Sequence, residues 1–320
     1  MKKLTIDQIA QRIKTPKKTL ILCHKNPDPD TLGSAYALAH VLNYYGSETA
    51  VLCADEANTK LSFITNGEKI KETNASGYER IVAVDVASPS QLGAHEEMAD
   101  KVDFTIDHHE MNTRFSDYYE DFCAACAQII YDISVYLGIF DKLPKHFYEC
   151  VYAGISGDTG CFKYSNSTPS VYVCASRLVE KGIDIAEINR IIFDSKTMGE
   201  IRAAKVTYEN MKLLCDGRLA VIMITDDMKR KASLTNDDIG DIVNLVRQIE
   251  GVSIAVSIKQ SDKDLSKFTI SSRSNAEADV SEICARLGGG GHKKASGASL
   301  VAGTPSEALD TVIKLFSEAL

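Results

Sequence analysis

Short apolar stretches alternate with segments of helical periodicity along the first half of the chain. Each apolar stretch is about five residues long, which is typical of a short buried strand. These stretches cover residues 20–24, 49–53, 81–85 and 102–106. Helical patterns lie between and after them, at residues 35–42, 126–137 and 146–155. Strands that alternate with helices predict an α/β fold, with a parallel sheet and helices on both faces.

The second half predicts a smaller α/β unit. Thr168-Pro169 resembles an N-cap followed by proline, which predicts a helix that ends near residue 179. A helical pattern predicts a connecting helix over 198–214. Further strands are expected at 219–225, 253–259 and 268–272, and helices at 280–287 and 306–320 around the glycine run 288–291. We therefore expect an N-terminal domain of residues 1–190, a linker-helix region of residues 191–215 and a smaller domain of residues 216–320.

Two of the predicted strands end in clusters of His and Asp. The segment 24–30, with the sequence HKNPDPD, follows the first strand, and Asp107-His108-His109 follows the fourth. Open α/β sheets build their sites in loops at the carboxyl ends of the strands. Two such loops at one edge predict a shared metal centre.

The spacing of Asp28 and Asp30 suits two carboxylates that bind two neighbouring ions. Pro27 and Pro29 disfavour helix and favour extended backbone before them. In an extended segment the two aspartates would project to one side, with Cα atoms roughly 6–7 Å apart. Each carboxylate could then bind a different ion of a pair separated by about 3.5–4 Å. The alternative is structural, with Asp28 or Asp30 as a helix N-cap.

Two more carboxylates occupy similar places. Asp85 ends an apolar strand, and Asp158 lies in a glycine-flanked turn, Gly157-Asp158-Thr159-Gly160, after a predicted helix. Taken alone, Asp158 is better explained as a turn residue or a cap, and Asp85 is nearly as ambiguous. A metal centre is favoured because these two carboxylates occur together with the His and Asp clusters in one chain.

Composition narrows the range of functions. The chain has 320 residues and a formal charge of −8, so it lacks the basic footprint that long nucleic acids require. It has no apolar run long enough for a membrane span and no apolar signal core, so we expect a cytoplasmic protein with no membrane partner.

The nine scattered cysteines predict reduced thiols. The lone pair Cys123 and Cys126 is better explained by core packing than by zinc or redox chemistry.

Together these motifs resemble the DHH-family phosphoesterases that carry the family's associated C-terminal domain. The motif that names the family matches Asp107-His108-His109, and other family motifs match His24, Asp28-Pro29-Asp30, Asp85 and Gly157-Asp158-Thr159-Gly160. The C-terminal signature matches Ser272-Arg273-Ser274 and the segment 289–297, GGGHKKASG. Pro29 stands where a glycine is common in the family, but it removes no ligand.

The resemblance implies roles for these residues. One metal ion would be bound by His24, Asp28 and Asp85, and the second by Asp30, Asp85, His108 and Asp158. Oxygen-rich ligation with two imidazoles suits Mn²⁺, with Mg²⁺ or Co²⁺ as alternatives, and the lack of thiolates argues against structural zinc. Asp107 would orient His108, and His109 would face the substrate phosphate or supply a proton to the leaving oxygen. Substrate phosphate would be bound by Arg273, Gly289, Gly290, Gly291 and His292.

The resemblance is to the stand-alone branch that acts on small nucleotides. It implies hydrolysis of short oligoribonucleotides, linear dinucleotides or 3′-phosphoadenosine 5′-phosphate through a water activated by two metals. A cyclic di-AMP phosphodiesterase is the first alternative, and a non-catalytic nucleotide-sensing module is the second. An inorganic pyrophosphatase is disfavoured by the Gly-Gly-Gly-His signature. Long nucleic acid is not an expected partner, and a homodimer stays open.

Overall fold

The computed structural model describes residues 1–67, 76–109, 114–121, 123–240, 242–275 and 277–320. The chain divides into two compact units, Met1–Ser195 and Lys196–Leu320. Among the described residues, no helix is both long and apolar enough to cross a membrane. All nine cysteines are described and none forms a disulfide, which agrees with the reduced thiols expected from the sequence.

The first unit is built on a parallel sheet of five strands in the order β2-β1-β3-β4-β5. Their bounds are β1 Thr19–Leu22, β2 Thr49–Leu52, β3 Arg80–Val84, β4 Phe104–Asp107 and β5 Asp117–Glu120. The α/β class and the four strands predicted from the sequence are therefore confirmed. The fifth strand was missed because Asp117-Tyr118-Tyr119 is polar and aromatic, and it lies at the edge of the sheet.

The described residues of this unit form seven α-helices. They are α1 Ile6–Lys14, α2 Pro29–Tyr44, α3 Ser62–Thr65, α4 Cys126–Tyr136, α5 Lys145–Asp158, α6 Pro169–Val179 and α7 Ile185–Asn189. Residues of α1, α2, α4 and α5 share one apolar core with Ile21, Val82 and Phe104 of the sheet. The opposite face is covered by a kinked 3₁₀ segment, Pro89–Lys101, whose apolar side chains pack on Leu20 and Ile81. Helical structure on both faces was expected, but on this face it is 3₁₀ rather than α.

Helix α2 lies at the centre of the first unit and is buried on most of its surface. Leu32, Leu38 and Leu42 are fully buried, and each contributes about 1.5–3 kcal/mol relative to an exposed side chain. Gly33 allows α5 to approach closely, because a Cβ at this position would collide with the Cys150 carbonyl oxygen. On α5, a Cβ at Gly154 would lie only 2.7 Å from Asp30 Oδ1. These glycines bring the ends of the helices together at the carboxyl edge of the sheet.

The second unit contains a mixed sheet of six strands in the order β10-β11-β9-β8-β7-β6. The strands are β6 Lys212–Leu214, β7 Leu219–Ile224, β8 Ile254–Gln260, β9 Lys267–Ser274, β10 Gly290–His292 and β11 Ala295–Val301. The helices are α8 Met198–Asn210, α9 Asp226–Ala232, α10 Ile242–Arg247, α11 Val280–Ala285 and α12 Pro305–Ser317. Strands β7 and β8 pair in parallel, and the other pairs are antiparallel.

Two expectations for this unit need correction. The helix predicted over 198–214 ends at Asn210, because Lys212–Leu214 instead pairs with β7 as an edge strand. The glycine run continues into strand β10, where Gly290 pairs with Gly297. Helical periodicity could not separate a short edge strand from the last turn of a helix, since only pairing with β7 distinguishes them.

Candidate metal centre

Asp28 and Asp30 lie at the start of α2. Asp28 has extended backbone, and its Oδ1 accepts hydrogen bonds from the N–H groups of Asp30 at 2.9 Å and Thr31 at 3.0 Å. Extended backbone was expected from the sequence at both aspartates, and this is wrong for Asp30. Pro29 occupies the first helical position, where its fixed φ suits a helix and its missing N–H costs nothing. Asp28 is therefore an N-cap, and Asp30 projects from the first turn.

Asp30 is fully buried and contacts the N-terminus of α4. Its Oδ2 accepts from the Cys126 N–H at 2.7 Å, and its Oδ1 accepts from the Ala127 N–H at 2.9 Å. Burial, and then the charge of Asp85, raise the pKa of Asp30 to about 7, although the helix N-terminus favours the anion. This role of Cys126 and Ala127 was not predicted, because main-chain N–H groups make the contacts and residue type does not reveal them.

Asp85 directly follows β3 and lies between two imidazoles. Its side chain is almost completely buried, and its φ of 57° is in the left-handed region, which Asp tolerates better than most residues. Oδ2 lies 3.4 Å from His24 Nε2, and Oδ1 lies 3.4 Å from His108 Nε2. Burial alone would raise the pKa of Asp85, but the two imidazoles outweigh it and hold this pKa well below its usual range.

Both imidazoles are oriented by main-chain carbonyls. His24 Nδ1 lies 2.7 Å from the Lys25 carbonyl oxygen, and His108 Nδ1 lies 3.3 Å from that of Cys123. With each Nδ1–H donating to a carbonyl, each Nε2 faces the carboxylates. Burial lowers the pKa of His108, but Asp85 and the other carboxylates outweigh it and raise this pKa to about 11.

Asp158 is the last residue of α5 rather than part of a turn after the helix. Gly157 does not end the helix, and a Cβ there would come within 3.0 Å of the Pro29 side chain. Asp158 Oδ2 lies 3.4 Å from His108 Nε2. Burial, and then the charge of Asp30, raise the pKa of Asp158 well above its ordinary value.

The six side chains form two clusters that share Asp85. One cluster contains His24, Asp28 and Asp85, and the other contains Asp30, His108 and Asp158 next to the second oxygen of Asp85. Within each triad the ligand atoms lie within 4.8 Å of one another. The structure thus places together all six residues singled out from the sequence.

Asp107 is fully buried and orients a different ring from the one expected. Its Oδ1 accepts from the main-chain N–H of His108 at 2.9 Å and lies 2.7 Å from His109 Nδ1. The His108 ring bonds instead to the Cys123 carbonyl. Asp107 therefore contacts the ring of His109 and the backbone of His108, because consecutive side chains diverge at the strand end.

The nitrogen and oxygen atoms of the two clusters are spaced suitably to bind divalent ions. Asp85 Oδ1 is buried and accepts no hydrogen bond from any described residue, which leaves a lone pair facing the cluster. Donor atoms from different side chains lie 3.4–3.7 Å apart. Two ligand atoms about 2.1 Å from one ion are separated by about 3.0–3.4 Å, so only a small contraction is needed. His109 Nδ1 also lies 3.6 Å from Asp85, but its short contact with Asp107 occupies that nitrogen.

In the second unit, Arg273 and His292 lie on neighbouring positions across three strands. Ala295 of β11 is paired with Arg273 of β9 on one side and with His292 of β10 on the other. Residues paired directly across strands point to the same face, so the two side chains flank the small Ala295 with Cα atoms roughly 10 Å apart. Gly290, Gly291 and His292 are exposed beside them.

Comparison with known proteins gives the family. The model of the DHH family N-terminal domain matches residues 18–155, and that of the DHHA1 domain matches residues 216–320. The first match contains His24, Asp28, Asp30, Asp85 and the Asp107–His109 motif, but it ends before Asp158. The second contains Arg273 and the glycine run.

Relatives match over almost the whole chain. The probable bifunctional oligoribonuclease and PAP phosphatase NrnA of Streptococcus mutans is 26% identical over 91% of this chain and 92% of the relative. Its counterpart in Thermus thermophilus is 28% identical, with 94% and 89% covered. An exopolyphosphatase-related protein from Bacteroides fragilis superposes with a TM-score of 0.89 at 22% identity, covering 98% of this chain and 95% of that one, and shares the fold. The chain belongs to the DHH family and combines a DHH domain with a DHHA1 domain.

Proposed function

We propose that this protein is a phosphoesterase that uses two divalent metal ions, most readily Mn²⁺, to hydrolyse short oligoribonucleotides, linear dinucleotides or 3′-phosphoadenosine 5′-phosphate. The observation that carries the proposal is Asp85, whose two buried oxygens face two separate His and Asp clusters. The relatives named bifunctional oligoribonuclease and PAP phosphatase support this choice of substrates.

The proposed ligands divide between two ions that share Asp85. His24 and Asp28 would complete one site, and Asp30, His108 and Asp158 the other. When bound, the ions would offset charge on the phosphoryl oxygens and activate water at neutral pH. Oxygen and imidazole donors without thiolate suit Mn²⁺ or Mg²⁺.

His109 would act on the substrate directly. Its ring is held by Asp107, which fixes the ring orientation and stabilises the imidazolium form. Burial lowers the pKa of His109, but the carboxylates of Asp107 and Asp85 outweigh it and raise this pKa. His109 can therefore carry a proton near neutral pH, as a donor to a phosphoryl oxygen or as the acid for the leaving oxygen.

Arg273 and His292 are proposed to bind the substrate phosphate. Guanidinium and imidazole donors on one face of the sheet can both donate to one anion, and the exposed N–H groups of the glycine run add further donors.

Arg273→Ala should raise KM by about tenfold or more, as expected for a lost hydrogen bond to a charged group worth about 1.5–3 kcal/mol. His292→Ala should act in the same direction, while Mn²⁺ affinity stays unchanged in both variants. Steady-state kinetics and metal calorimetry measure the two effects. Arg286→Ala is the matched control, because Arg286 is exposed in the same unit and pairs with Glu318. Weaker Mn²⁺ binding in either test variant would contradict the proposed division of roles.

The experiment that tests the function is product analysis by chromatography across a substrate panel with Mn²⁺. The panel contains a ladder of RNA lengths, 3′-phosphoadenosine 5′-phosphate, and linear and cyclic dinucleotides. We expect kcat/KM to be highest for dinucleotides and to fall as RNA lengthens, because a net charge of −8 offers little attraction to a long backbone. Efficiency that rises with length would instead indicate a processive exonuclease.

The same panel separates the alternatives. A cyclic di-AMP phosphodiesterase would open the cyclic dinucleotide faster than it cleaves the linear one, and we expect the reverse. A nucleotide-sensing module would bind these ligands with no turnover at any metal concentration.

A further inference from the structure

We propose that Asn166 is a positioning residue that holds one of the two metal sites in shape; this inference rests on the proposed two-metal function. The Asn166 Nδ2 group donates to the main-chain carbonyl of Asp158 at 3.1 Å and to that of Ala124 at 3.2 Å. A single amide thus ties the end of α5 to residues 123–126, where α4 begins. Neither the DHH domain match nor the motifs read from the sequence include this residue.

Both segments joined by Asn166 hold members of the same cluster. Asp158 belongs to the first segment. In the second, the Cys123 carbonyl orients His108, and the Cys126 N–H binds Asp30. All three side chains of the cluster formed by Asp30, His108 and Asp158 therefore depend on main chain that Asn166 connects.

The other cluster is held by different parts of the fold. His24 follows β1, Asp85 follows β3, and Asp28 caps α2. Asn166 makes no hydrogen bond to any of these three residues among those described. The two hydrogen bonds donated by Asn166 should therefore affect one metal site and leave the other unchanged.

A tight left-handed turn brings Asn166 back to α5. Gly160, Cys161 and Phe162 have φ values of 56°, 59° and 61°, so three consecutive residues adopt a conformation that L side chains rarely take. The Phe162 N–H donates to Thr159 Oγ1 at 3.1 Å, which stabilises the turn. Unfavourable backbone of this kind persists only where surrounding contacts enforce it.

The orientation of the Asn166 amide follows from its neighbours. Its Oδ1 is buried and accepts no hydrogen bond from the described residues. Reversing the amide would place this oxygen against two carbonyl oxygens, so the observed orientation is the favourable one. Leaving a buried oxygen unpaired is costly, which indicates that the two carbonyl contacts dominate at this position.

The test is calorimetry of metal-free protein with Mn²⁺, comparing the wild type with Asn166→Ala and Asn166→Asp. The aspartate variant keeps the size of the side chain and replaces both donors by an acceptor. We expect one of two Mn²⁺ sites to lose about 10- to 100-fold in affinity, as for other groups that orient metal ligands, while the other site is unchanged. Asn189→Ala is the matched control, since Asn189 also bonds to α5, through Ser156 and Tyr152, and should leave both affinities unchanged.

Double variants identify the affected site. The loss in Asn166→Ala should be non-additive with Asp158→Ala and additive with Asp28→Ala, because only coupled positions depart from additivity. Two unchanged affinities in both Asn166 variants, or equal losses at both sites, would overturn the inference. A wild type that binds fewer than two ions would instead overturn the proposed function, so the two failures are distinguishable.

Discussion

Asp85→Asn is expected to abolish turnover and to weaken Mn²⁺ binding at both sites. The side chain is the shared member of the two clusters, so Asn removes the charge that both ions share and leaves one neutral oxygen in place of two anionic ones. A loss of about 4 kcal/mol of transition-state stabilisation corresponds to about 10³-fold in kcat, and this is the minimum effect we expect. Asn is the informative substitution, because it preserves side-chain size and tolerates the left-handed φ of 57° that would strain Ala.

Steady-state kinetics with saturating Mn²⁺, together with metal calorimetry, measure this effect. Asp100→Asn serves as the control, because Asp100 is exposed in the 3₁₀ segment and its substitution removes the same single negative charge. Asp85→Ala should match Asp85→Asn in activity but unfold at a lower temperature. Near-native turnover in Asp85→Asn would rule out the two-metal model.

The second large effect concerns stability, which should rise on metal binding. The carboxylates of Asp28, Asp30, Asp85 and Asp158 crowd one site in the absence of ions. At a Mn²⁺ concentration about 1,000 times the dissociation constant, linkage adds about 4 kcal/mol to the free energy of unfolding. For a domain the size of the first unit this is a rise of about 10 °C in Tm. Thermal melts across a Mn²⁺ titration, with chelated protein as reference, measure it, and Asp85→Asn should show little of the rise.

The increase in thermal stability on Mn²⁺ binding should also become larger as the pH rises. The folded pKa of Asp30 is raised to about 7, so its protonated form stabilises the metal-free fold at low pH, and this is lost as the pH rises from about 4 through 7. The pKa of His108 is raised to about 11, so its contribution is present below its ordinary pKa near 6.5 and declines above it. Metal-free protein should therefore lose stability between pH 6 and 8. Mn²⁺ should restore it, and a metal-free Tm that rises over this interval would contradict the assignment.

The α/β class and most elements were predictable from the chain, because they rest on local patterns. Four strands were predicted from apolar stretches, and three of them end at or next to His24, Asp85 and Asp107. Since parallel strands share one carboxyl edge, their order along the chain was enough to bring these residues together. Polar edge strands such as β5 and β6 were missed, because pairing rather than composition defines them.

Only the tertiary structure decided the hydrogen bonds made by the main chain and the orientation of the imidazole rings. Residue type does not reveal that the Cys126 N–H binds Asp30, or that the Cys123 carbonyl orients His108. It also does not reveal that Asp107 holds the ring of His109, since the partner of a buried carboxylate depends on how side chains diverge at a strand end. The sequence by itself thus determined which side chains gather at the site. Packing of α2, α4 and α5 decided how Asp30, His108 and Asp158 are held, because hydrogen bonds to backbone depend on distances that no single segment encodes.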